Sequence, residues 1–144
     1  MKPAALILLF LAAAGHATPA VTNQPARPEP SLRARLFEFG VALSNEGFKA
    51  RDGFWSGRLS SGRSARLAVN LLAGNGYWFA AALPPGTPEA RVRVYGPDGS
   101  VLETTDYAAD GLSAAGVTAT VTGEYFVSVE AAASADFCLM YFFK

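Results

Sequence analysis

Catalysis and metal binding need nucleophiles, acids, bases or donor atoms, and this chain offers few. Its 144 residues include one His and one Cys. His16 falls in an N-terminal segment expected to be removed, so the mature chain would hold no His. Without His, neither a Ser-His-Asp nor a Cys-His arrangement is possible. Histidine-containing zinc sites go too, and Cys138 alone cannot make a structural zinc cluster. Carboxylates remain. Glu103, Asp106, Asp110 and Glu124 are the candidates for a glycoside-cleaving pair, which needs two facing groups. Nothing in their spacing picks out such a pair, so no catalytic residue and no enzyme is expected. Asp98 in "GPDG", with Asp106 and Asp110 in "DYAAD", offers oxygen ligands for calcium. The competing reading makes Asp98 a turn former and the other two solvated loop acids. No cofactor is expected.

Aromatic side chains are the other chemically useful set, at 12% of the chain. Trp55, Trp78, Tyr95 and Tyr107 are candidate ligand-binding residues, as platforms for sugar rings or peptide aromatics. Trp78 sits in "YWFAAAL". On a strand, Tyr77, Phe79, Ala81 and Leu83 share one face, and Trp78, Ala80 and Ala82 share the other. The first face is expected to be core. The second is apolar where a wet face would be polar. Either a helix covers it, with the alanines making room, or it is open and Trp78 is a stacking surface. The helix is the preferred cover, because otherwise two unmatched apolar surfaces would stay exposed in one small domain. Trp55 follows Gly53-Phe54 and carries the same ambiguity.

That helix is predicted over residues 31–46. Ser31 reads as its N-cap. Leu32, Leu36, Phe39 and Leu43 fall on one helical stripe. Phe37 and Val41 are expected to widen the stripe, and Gly47 to end it. From Phe54 onward the period drops to two. "SARLAVNLL" alternates Ala65, Leu67, Val69 and Leu71 with polar residues, and "RVRVY" alternates Val92 and Val94 with Arg91 and Arg93. "SVLETTDY" reads as a strand, "AADGLSAAG" as a loop or weak strand, and "VTATV" as the approach to "EYFVSVE". The closing "FCLMYFF" is apolar on both faces, which implies cover on both sides and makes Cys138 a buried small hydrophobe. Many Gly (14) and Pro (9) punctuate these runs. About eight strands at such spacing predict a mainly β, antiparallel sandwich, jelly-roll-like, with one N-terminal amphipathic helix packed on a sheet.

Residues 1–17 are expected to be a signal peptide. Lys2 precedes an apolar run, Ala4 to Ala14, and "GHA" supplies the small residues of a cleavage site. The run is too short to span a bilayer comfortably. An exported location, periplasmic or secreted, follows, with no membrane span in the mature chain. Residues 18–30, "TPAVTNQPARPEP", read as a proline-rich tether, 31–50 as the helix segment and 51–144 as the sandwich domain. Lys and Arg number 12 and Asp and Glu number 12, giving a formal net charge of zero. That argues against nucleic acid as the partner.

"GRLSSG", "LLAGNGYWF", "VRVYGPDGSVL" and "TGEYFVSVE" follow in that order. Over residues 53–143 this resembles the bacterial pre-peptidase C-terminal domain. The resemblance implies a small secreted sandwich of jelly-roll type. Family members commonly sit beside a secreted hydrolase, and some bind polysaccharide, collagen or calcium. Where the family often places acidic residues before the Val-Tyr strand, this chain reads Glu89-Ala90-Arg91. The expected role is a non-catalytic binding or scaffolding module. One form makes protein–protein contacts with an envelope or extracellular protein through a sheet edge or loop. The other binds polysaccharide through the four aromatics named above.

Overall fold

The computed structural model describes residues 30–144. The expected signal peptide, and the tether apart from Pro30, lie outside the described residues. One helix, α1 (Pro30–Ser44), precedes nine strands. These are β1 (Lys49–Ala50), β2 (Trp55–Leu59), β3 (Ser64–Leu71), β4 (Gly76–Ala82), β5 (Arg91–Tyr95), β6 (Thr105–Ala109), β7 (Leu112–Thr118), β8 (Gly123–Glu130) and β9 (Ala135–Phe143). The larger sheet runs β1-β9-β4-β7-β6, with β2 also pairing β9; the smaller runs β3-β8-β5. Every pairing is antiparallel. From β2 to β5 the chain alternates between the sheets, as in a jelly roll. None of the described helices is long and apolar enough to cross a membrane.

Two apolar layers hold these parts together. Between the sheets lie Tyr77, Phe79 and Ala81 of β4, Val92 and Val94 of β5, Tyr125, Val127 and Val129 of β8, and Phe137, Leu139 and Tyr141 of β9. The period-two faces expected from the sequence are therefore the buried ones. On the far side of the larger sheet, α1 sets Leu32, Leu36 and Leu43 against Ala80, Ala82, Ala114, Cys138, Met140 and Phe142. That contact explains why β4 and β9 are apolar on both faces. Each fully buried Leu or Phe contributes roughly 1.5–3 kcal/mol relative to exposure.

The helix is fixed at both ends and at its middle. Its end is a Schellman turn. Phe48 N–H donates to Leu43 O at 3.2 Å, Gly47 N–H donates to Ser44 O at 3.1 Å, and Gly47 has φ +89°. Leu43 and Phe48 are both buried in the helix layer, the apolar contact usual for this cap. Near the start, Arg35 Nη1 donates to Leu83 O at 3.1 Å, and Nη2 donates to Ala109 O at 3.3 Å and to Asp110 O. In the middle, a Cβ on Gly40 would lie 2.6 Å from Phe142 Cε1. Only glycine lets the backbone come that close.

Several expectations are corrected. The helix begins at Pro30 and ends at Ser44, so Ser31 lies inside the first turn rather than at the N-cap. Proline suits that first turn, where its missing N–H has no helical acceptor anyway. Phe37 and Val41 do not widen the buried stripe; they are 51% and 68% exposed. "SVLETTDY" is not one strand. Val101 forms a single bridge with Tyr95, and β6 starts only at Thr105. For "AADGLSAAG", read as a loop or weak strand, the strand alternative holds. The stretch contains the β6–β7 hairpin, with Asp110 and Gly111 both at positive φ, the two-residue turn that Asp-Gly favours. β7 then runs between β4 and β6. "VTATV" supplies its last two residues, and the turn follows.

Candidate functional site

The four aromatics do not form one platform. Trp78 is half-buried beneath α1, with the Phe39 ring edge-on at 6.0 Å. Its indole lies over Gly116 of β7, where a Cβ would come within 2.8 Å of the ring. Trp55 is half-buried and stacks on Tyr141 at 5.9 Å. Phe54, its neighbour, points away and lies under the Arg33 guanidinium at 4.1 Å. Tyr107, on β6, is 45% exposed and meets Phe39 at 5.4 Å. Tyr95 belongs to the other sheet, with the Arg66 guanidinium 4.4 Å above its ring. So Trp78 and Tyr107 share a neighbourhood through Phe39, while Trp55 and Tyr95 are elsewhere.

The three candidate aspartates each have their own hydrogen-bond partner, and Asp106 shares the lining of a cavity of about 410 Å³ with Glu103. Asp98 Oδ1 accepts from Ser100 Oγ at 2.7 Å and from Ser100 N–H at 3.1 Å. These bonds, the hydroxyl first, hold its carboxyl below the usual carboxylate range. This is the turn-former arrangement. Asp106 Oδ1 accepts from Thr104 Oγ1 at 2.6 Å, and Asp110 Oδ1 from Gly86 N–H at 3.1 Å. Among the described residues no group of three or more His, Cys, Asp or Glu is gathered for a metal ion. Cys138 is buried beneath α1, and that burial pushes its thiol from 9.0 up to about 11. A thiol so protonated is a poor nucleophile.

What the fold does present is an open sheet edge. A free edge offers unpaired N–H and C=O groups to another strand. β5 does not offer one. Its Val92 N–H donates to Ser113 Oγ at 3.2 Å, and its Val94 O accepts from Leu102 N–H at 2.8 Å. β6 has its Ala109 O taken by Arg35. β1 and β2 are two and five residues long. β3 differs. It pairs only with β8, one residue to one, over all eight residues from Ser64 to Leu71. Among the described residues, no bond other than that ladder reaches the backbone of residues 64–71. It has no proline, no bulge and no inward charge. Its inward Ala65 and Leu67 are half-buried, whereas Val69 and Leu71 are buried.

At the start of β3 lies a cavity of about 550 Å³, lined by Arg63, Arg91, Arg93, Glu89 and Glu130 among others. Three loops meet there around Ala132. Its N–H donates to Pro88 O at 3.0 Å, and its O accepts from Ser61 Oγ at 3.0 Å. Ser61 N–H also donates to Ser134 Oγ at 3.1 Å. Arg93 pairs with Glu130 at 3.4 Å. The sequence points to a sheet edge or loop as a contact surface but not to β3, and the arginines are not among its candidates. The available signal was "RVRVY", whose alternation sets Arg91 and Arg93 on one outer face, and the Arg63 and Arg66 of "GRSAR".

No family model matches this chain, and no curated protein matches it.

Proposed function

We propose that this protein is an exported, non-catalytic binding module of pre-peptidase C-terminal type. It acts at the cell envelope or outside it, and docks an extended segment of a partner protein as an added strand on β3. The observation that carries the reading is the contrast between edges: β5 is engaged by the protein's own groups, β6 is only five residues long with its last carbonyl held by Arg35, and β3 is bare over eight residues. A guest strand there would gain a backbone ladder, and its inward side chains would complete the cover over Ala65 and Leu67. The dispersed aromatics favour this reading over a polysaccharide platform.

The test is selection of extended peptides on the purified chain, followed by amide exchange. Successive residues of a strand send their backbone groups to opposite sides. Of Leu67→Pro and Ala68→Pro, therefore, one blocks the free edge and spares the β8 ladder. That variant is recognised by its retained cooperative unfolding. Selected peptides should slow exchange within residues 64–71 and bind the fold-retaining variant about tenfold more weakly or worse, a loss of ~1.4 kcal/mol. Equal binding to that variant, or protection confined to other strands, sinks the reading.

A further inference from the structure

We infer that the cavity at the start of β3 is a carboxylate site, and that the segment docked by this protein carries Asp or Glu side chains to fill it. This rests on the docking reading, because the cavity begins where the open edge begins, at Gly62, Arg63 and Ser64. Three features of the cavity point to a ligand.

The first is charge. Arg63, Arg91 and Arg93 converge on it, and only Arg93 has an ion-pair partner among the described residues. Arg63 and Arg91 are exposed and keep their planar donor forks available, the geometry that takes a carboxylate with two parallel bonds. The second is balance. Glu89 and Glu130 face the same space, so three positive charges meet two negative ones and a single positive charge remains. A monoanionic carboxylate neutralises that. A phosphate dianion would be repelled by the two glutamates at close range. The third is rigidity. The loops carrying Arg63, Glu89 and the residues after β8 are tied together through Ala132, so the walls stand in place before a ligand arrives. Glu89 itself has φ +53°, a backbone region that residues other than glycine rarely occupy, held at the rim of this cavity.

The geometry favours a peptide over a polymer of acidic sugars. The cavity sits at the end of an edge that can add a strand, and its neighbouring aromatic, Tyr95, is already covered by Arg66. A guest strand whose side chains alternate apolar inward and acidic outward meets Ala65 and Leu67 with one set. The other set lies on the outer face beside Arg63 at the start of β3, with Arg91 and Arg93 reaching toward it from β5 across β8.

The experiment titrates the full purified chain with an acetylated, amidated octapeptide alternating Val and Glu, and with its Val-Gln counterpart. Inorganic phosphate and polygalacturonate are separate arms. Binding is read by calorimetry and by amide exchange. The Glu peptide should bind about tenfold tighter than the Gln peptide, lose that advantage as salt rises, and lose it again in Arg63→Gln and Arg91→Gln. Arg58→Gln should keep the advantage, because Arg58 pairs with Asp136 in the other sheet. Arg91→Glu should turn the preference toward a Val-Lys peptide. If both peptides bind alike and protect β3, the docking reading stands and the carboxylate site falls. If neither peptide binds, or the two arginine variants bind the Glu peptide as the wild type does, the inference is overturned. It is overturned equally if phosphate or polygalacturonate binds the cavity in preference to the peptide.

Discussion

Cys138 shows how position decides what a residue can do. By type it is a nucleophile; in place it is a sealed apolar group under α1. Burial raises its thiol from 9.0 to about 11, the nearby Arg33 opposing this weakly. In the unfolded chain the thiol ionises near its ordinary value. As pH climbs past 9.0 the unfolded state therefore gains stability first, and the folded state loses its margin until about pH 11. Urea midpoints should fall across that window, and the Cys138→Ala variant should fall less steeply. A thiol reagent at pH 8 should label the native protein only as fast as it unfolds. Prompt labelling would contradict the burial. The burial itself was legible in "FCLMYFF", because a run apolar on both faces implies cover on both sides. The carboxylates were less legible. Asp98 and Asp106 accept from partners two residues away, Asp98 in the turn arrangement the sequence offered, whereas Asp110 is held by Gly86, 24 positions off, by a chain path that spacing does not specify.

At the scale of elements, α1 and β7 explain each other. The stripe of Leu32, Leu36 and Leu43 could be read from its spacing because 3.6 residues per turn leaves a regular signature. β7 could be read only as a loop or weak strand, since Ala114, Ala115 and Gly116 have low strand propensity. Their smallness is a packing requirement: Ala114 lies under the helix and Gly116 under the Trp78 ring. Gly40 tests this closeness. Alanine there would gain roughly 0.5–1 kcal/mol of helix propensity. It would also push a methyl to 2.6 Å from the Phe142 ring, and such overpacking costs roughly 1–3 kcal/mol. Phe142 is 1% exposed and flanked by Phe39, so it has little room to yield. The clash should win, and the Gly40→Ala protein should unfold at lower urea. An unchanged or higher midpoint would show the helix seated more loosely than this.

At the scale of the whole molecule, the protein is three layers: helix, larger sheet, smaller sheet. The outer layer on one side is α1, and the outer face on the other side is the strand set β3-β8-β5 with its arginines. Removing residues 30–44 should uncover Met140, Phe142 and Trp78 together. Acrylamide quenching of Trp78, with Trp55 replaced by Phe, should rise several-fold on that deletion, and the shortened chain should self-associate. Quenching already high in the intact protein would mean the helix does not cover the indole. The sequence by itself determined the class of the fold and the inward faces of β3, β4, β5, β8 and β9, because period-two and period-3.6 patterns are local records of which side meets the core. It also determined that one His and one Cys are all the chain has of those two types, which limits nucleophile–His chemistry. Only the tertiary structure decided which edges are engaged, where Trp78 lies, and that Arg63, Arg91 and Arg93 face one cavity. Those facts join residues tens of positions apart. Strand order and loop ties bring them together, and neither is written in any single stretch of the chain.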